Sequence, residues 1–128
     1  MEDVKKTLSL LWVARMLTGI QGDVIRIMDP NTLEDIIAGT TAVPMTEEIL
    51  AAMAALMLLP IFMVFLSLKL PYKANRWANI IVAIAFIVID GIGFIIPRPL
   101  YENIMGIGYV VFCALIVWYA WKWTIQED

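Results

Sequence analysis

The fold this sequence predicts is an all-α membrane protein: four transmembrane helices in an antiparallel up-down bundle, with a short interfacial helix in the first loop. Three observations carry that expectation. Hydrophobic residues fill 62% of the 128 positions and the mean hydropathy is +0.83, against roughly 45–50% apolar usage in soluble domains. Four segments each supply about the 20 residues that cross a hydrocarbon core at ~1.5 Å per residue. The connections between them hold five of the six prolines. Residues 1–128 are read as one domain with spans at about 8–28, 48–70, 76–96 and 100–124.

The first span, Leu8 to Met28, is the least apolar and carries Arg15, Gln21, Asp23 and Arg26. Asp29 and Pro30 stop it. In the long connection from Asp29 to Met45, Thr32, Asp35 and Gly39 bracket Leu33, Ile36 and Ile37 at a spacing that fits a short amphipathic turn on the membrane surface. Thr46 stands before the second span, Glu48 to Leu70, as an N-cap, with Glu47 and Glu48 complementing the positive helix end. Pro60 interrupts this span midway, which in a bilayer predicts a kink rather than a break. The third span, Arg76 to Ile96, is closed by Pro97, Arg98 and Pro99, and the fourth runs from Leu100 to Thr124. Short connections at Lys69 to Asn75 and Pro97 to Pro99 make neighbours of spans two and three, and of three and four.

Charge sidedness sets the orientation. Lys5, Lys6, Lys69, Lys73, Arg76 and Lys122 fall on one side. Asp29, Glu34, Asp35, Glu47, Glu48 and Glu102 collect on the other, with Arg26 and Arg98. The positive-inside rule then puts both termini in the cytoplasm, and Trp77, Trp118, Tyr119, Trp121 and Trp123 form an aromatic belt at that boundary. A cleaved signal peptide is disfavoured because Arg15 interrupts the apolar run that begins at Leu8.

With no His and a single Cys, Cys113, the chain lacks the ligands of imidazole-bound haem, of His-based zinc and of multi-thiolate sites, and it has no internal disulfide framework. No metal and no cofactor are expected. The net charge of −3 says little until it is divided among the loops, since its sidedness is what informs; no nucleic-acid partner is expected.

Asp90 is the residue that calls for a partner. It stands in the otherwise uncharged stretch Ile80 to Ile96, where a carboxylate at the centre of a helix costs roughly 3 kcal/mol and usually marks a site facing the protein interior. Counting ~1.5 Å per residue inward from Lys6 and Trp77 puts Arg15 ~13 Å and Asp90 ~20 Å below the cytoplasmic boundary. That depth is long for an arginine to snorkel. Arg15 and Arg26, on one polar stripe of helix one with Thr18, Gly19 and Gly22, are therefore the candidate ion-pair partners, and Gln21 and Tyr109 the candidate hydrogen-bond donors. On the third span Asn79, Ala83 and Phe86 share the face of Asp90, and on the fourth Tyr109 shares one with Glu102, Met105, Gly106, Cys113 and Ile116. Six of the seven glycines lie in the outer half of three spans. They predict either close helix packing or a cavity beside the acid.

The first span, LSLLWVARMLTGIQGDVIRIMDP, the loop segment LEDIIAG and the second span, EEILAAMAALMLLPIFMVFLSL, carry Gly22-Asp23, the Asp29-Pro30 stop and Pro60. Across nearly the whole chain this pattern resembles an uncharacterised family of small four-helix prokaryotic membrane proteins. The resemblance implies a multi-pass protein of a prokaryotic cell membrane and no particular activity. A more distant likeness to DoxX-like proteins rests on helix number and a polar first helix.

The leading functional expectation is a pocket in the outer half, lined by Arg15, Gly19, Gly22, Asp90 and Tyr109, that binds or transports a small lipophilic or amphiphilic molecule. Membrane lipids are the surrounding partners. A proton-coupled exporter of the small-multidrug type is the alternative, with Asp90 as its carboxylate, although Arg15 would repel a cationic drug. A structural or accessory subunit is a further alternative, with Ala51, Ala52, Ala54 and Ala55 as a homodimer seam. Enzymatic chemistry is disfavoured because one deep acid lacks a second convergent titratable group.

Overall fold

The structure is a computed structural model that describes residues 2–41 and 46–123; Met45 and Thr124, the outer limits set above for the first connection and the fourth span, lie outside them. The described residues form five helices: α1 Glu2–Met28, α2 Pro30–Ala38, α3 Glu47–Lys69, α4 Tyr72–Ile92 and α5 Leu100–Lys122. All but α2 are long and apolar enough to cross a membrane.

Local chemistry sets the boundaries. Thr46 caps α3 as its spacing predicts, its hydroxyl accepting the Ile49 N–H at 3.2 Å, and Glu47 and Glu48 occupy the first turn. Gly39 closes α2 at φ 75°, a left-handed conformation that costs a residue without Cβ little. The start of α2 differs from the expected turn after Thr32. Asp29 is the cap, its carboxylate accepting the Asn31 N–H, and Pro30 supplies the first helical position, where its missing N–H is not needed. Instead of spanning Arg76 to Ile96, α4 starts and ends four residues earlier. Pro71 presets the backbone for a helix start, and after Gly91 and Gly93 the chain continues in turns.

The core lies toward the end of the molecule that carries Trp123. Leu8, Trp12, Met63, Ile80, Ala83, Phe86, Cys113, Ile116, Ala120 and Trp123 are buried together. A satisfied polar network runs through it: the Trp12 indole N–H donates to Asn79 Oδ1 at 2.7 Å, and the Ser67 hydroxyl donates to the same oxygen at 3.2 Å. The Asn79 amide donates to the carbonyl and side-chain oxygens of Asn75, and the Asn75 amide donates back to the Ser67 carbonyl at 2.8 Å. Ser9 adds a bond from α1 to the Val64 carbonyl. At this end Arg76 donates to the carbonyls of Ala120 and Trp121, satisfying orphan groups at the C-terminus of α5 and offsetting its dipole.

Packing is uneven around the molecule. Helix α1 packs extensively on α3 and α5, and α4 on α5, whereas α3 and α4 touch only sparsely. The reason lies in α3. Met63 and Ser67 are buried on the lysine side of Pro60, but Leu50 through Leu59 are all exposed. Pro60 is itself buried, and α3 continues through it. Lacking an N–H, it leaves the Leu56 carbonyl without its helical donor. One half of α3 is docked by the network, and the other half stands off from α4.

Candidate functional site

The gap left by the free half of α3 is the site. A cavity of about 400 Å³ opens between α1, α3 and α4, with Tyr109 of α5 at its back. Its walls are largely apolar: Met16 and Ile20 of α1, Met53, Leu56, Met57 and Ile61 of α3, and Phe86 and Ile89 of α4. Of the three methionines of α3, Met53 and Met57 therefore face this space, and Met63 belongs to the core. The polar groups of the wall are Arg15, Asp23, Arg26, Asp90 and Tyr109.

Arg15 is the partner of Asp90. A single nitrogen, Nη2, donates to both carboxylate oxygens, at 3.2 and 3.1 Å, and the two side chains are only 10% and 9% exposed. The guanidinium carbon lies 4.4 Å from the Tyr109 ring centroid and 5.0 Å from that of Phe86. Stacking of this kind suits arginine's planar, weakly hydrated cation. The Arg15 Nε is buried with no partner among the described residues, so the pair is held at one end of the fork and not across it. Asp90 lies in the last turn of α4, where the helix dipole disfavours an anion. A neighbouring cation is therefore needed there for two reasons, the low-dielectric surroundings and the helix end.

Arg26 is not available to Asp90. It donates to Asp23 at 2.7 Å and, from Nε, to Glu102 at 3.1 Å, tying the end of α1 to the start of α5. Gln21 is exposed and contributes nothing to the acid. Arg98, read from the sequence only as an outer-side charge, folds back over the Phe94 ring at 4.9 Å and donates to Asn103 at 2.8 Å.

The glycines divide between packing and space. A Cβ on Gly22 would lie 2.6 Å from the Tyr109 hydroxyl, and one on Gly106 would lie 2.7 Å from Arg98 Nη2. One on Gly93 would also run into Arg98. These three admit close approach by side chains. At Gly19 a Cβ would meet only Arg15 Nη1, at 3.7 Å, and Gly19 lines the cavity. Arg15, Gly19, Asp90 and Tyr109 thus meet at the cavity, and Gly22 supports it from behind through Tyr109.

A second polar cluster ties α2 to α5. The Asp29 carboxylate accepts from the Tyr101 hydroxyl at 2.9 Å, from the Thr32 hydroxyl at 3.1 Å and from the Asn31 N–H at 3.1 Å. The Tyr101 hydrogen bond, foremost, holds its pKa below the ordinary carboxylate value. A depressed acid stabilises the fold fully above its unfolded-state pKa, and that contribution is lost as pH falls through the folded-state value. Tyr101→Phe is expected to move the Asp29 midpoint up toward the ordinary value in a carboxyl-carbon NMR titration. An unchanged midpoint would remove Tyr101 as the cause.

Among the described residues no group of three or more Cys, Asp or Glu side chains is placed to hold a metal ion. Fold and site define an all-helical protein with four membrane-length helices and a charged pair at the edge of a largely apolar cleft. The chain belongs to the family of unknown function DUF6326, which matches residues 1–128. No curated protein and no solved structure matches it.

Proposed function

We propose that the protein holds a small lipophilic or amphiphilic molecule in the cleft between α1, α3 and α4. The observation that carries this reading is the cavity of about 400 Å³ itself: concave, apolar along most of its wall, with a few fixed polar groups, as small-molecule sites are built. The sparse meeting of α3 and α4 favours entry from the side, out of the lipid. In this reading the four long helices run alternately up and down through a prokaryotic cell membrane. The lysine-rich end and both termini face the cytoplasm, and α2 lies at the outer interface with Leu33, Ile36 and Ile37, all exposed, turned to the lipid.

The proton-coupled exporter needs a carboxylate free to alternate between a proton and a cation. Arg15 already occupies both Asp90 oxygens, which favours binding over exchange. The exposure of Ala51, Ala52, Ala54 and Ala55 keeps a homodimer seam on the free half of α3 as the second reading.

Extraction into polymer-bounded native nanodiscs, followed by native mass spectrometry, tests the cleft. Wild-type protein is expected to carry a bound amphiphile in about 1:1 ratio, and Gly19→Trp and Leu56→Trp, which fill the space from α1 and from α3, to lose it. Wild-type protein that comes out bare, or filled variants that keep the adduct, would overturn the reading.

A further inference from the structure

The charges around the cleft allow its occupant to be narrowed. Four charged side chains line it, Arg15 and Arg26 against Asp23 and Asp90; each arginine is already bonded to one of these acids, and Arg26 also to Glu102, which stands outside the lining. The four lining charges therefore cancel, and the wall is dipolar in detail. A ligand bearing net charge would bring an uncompensated ion into a space walled by methionine, leucine and isoleucine, where desolvation is costly and both lining arginines are already paired. A purely apolar ligand would fail for the opposite reason. Asp23, whose side chain is 52% exposed, and the carboxylate edge of Asp90 that borders the cavity would lose water without gaining a hydrogen bond.

We infer that the cleft selects amphiphiles whose head group has zero net charge, either zwitterionic or uncharged and hydroxyl-rich. The head lies against the Arg15–Asp90 and Arg26–Asp23 pairs, and the chain lies along Met53, Met57 and Ile61 of α3. This rests on the cleft reading above and adds the chemical class of its occupant. A dipolar head can place its positive part near a carboxylate and its negative part near a guanidinium without separating either pair. The free half of α3 supplies the flexible, polarisable surface that methionines offer to chains of differing shape.

The test uses four photo-crosslinking amphiphiles with the same diazirine-bearing chain and different heads: phosphocholine, maltoside, trimethylammonium and sulfate. They are added in trace amounts to the full-length protein in nanodiscs, and labelled peptides are mapped by mass spectrometry. The phosphocholine or maltoside probe is expected to label the α3 segment around Met53 and Met57 about tenfold more than either charged probe. The exposed α4 residue Ile81 is the general-lipid control. Asp23→Asn, which leaves the Arg15–Asp90 pair intact, removes one negative charge from the lining and is expected to shift labelling toward the sulfate probe. Asp90→Asn should do so more strongly if it folds, and the Asp23 variant decides the matter if it does not. Equal labelling of the α3 segment by charged and neutral heads, or a preference that Asp23→Asn leaves unmoved, would overturn the selectivity. Labelling of the α3 segment no greater than at Ile81 with all four probes would overturn the cleft reading itself.

Discussion

Arg15→Leu is expected to destabilise the protein by about 3 kcal/mol or more, and the double variant Arg15→Leu/Asp90→Leu to recover most of that loss. The asymmetry follows from where the cost lies. With both partners present, the buried pair balances its own desolvation, so its net contribution against an apolar replacement is small. With arginine removed, Asp90 remains beside a largely apolar cavity and at the negative end of α4. The single variant loses attraction and keeps the penalty. Water in the cavity can relieve part of this, which places the expectation toward the lower end of the usual 3–5 kcal/mol for breaking such a pair. Reversible unfolding in mixed micelles, run on the two single variants and the double, reads the coupling directly. Additive effects would mean that the distances of 3.1 and 3.2 Å do not reflect an energetic link.

That pair was half legible in the sequence. Depth counting brings Arg15 and Asp90 toward one region, and helical periodicity puts Asn79, Ala83 and Phe86 on one face of α4, where all three are buried. It cannot separate Arg15 from Arg26, because that choice depends on Glu102, which holds Arg26 from the start of α5. The caps at Thr46 and Gly39 are readable because each depends on a local residue type. The four-residue displacement of α4 is not, since tryptophan and arginine near a membrane boundary suit a helix end or a helix interior equally. Least legible is the standing-off of α3. Leu50 to Leu59 have the same apolar character whether they face lipid or protein, and hydropathy does not tell these surroundings apart. The cleft is a property of packing, and its one sequence marker is Pro60, where burial changes along the helix.

The polar network beneath the cleft escaped the sequence reading, although Asn75 and Asn79 sit at i and i+4 on an apolar helix, and it leads to the other large effect. Asn79→Leu is expected to cost about 3 kcal/mol. The made bonds alone would not give that figure, since interhelical hydrogen bonds in membranes average only ~0.6 kcal/mol. The larger part comes from what is orphaned. The Trp12 indole N–H loses its acceptor and the Asn75 side-chain oxygen loses its donor, and each buried group left so costs about 1–3 kcal/mol. Trp12→Phe in the Asn79→Leu background should therefore be less damaging than the sum of the two single changes. The consequence reaches the site, because the Ser67 bond to Asn79 helps hold the lower half of α3 against α4 while the upper half stays free. In Asn79→Leu, hydrogen exchange is expected to rise at the amides around Met63 to Ser67 as well as in α4. Faster exchange confined to α4 would mean that the docking of α3 depends on Ser9 and apolar contact instead, and the network would lose its role in shaping the cleft.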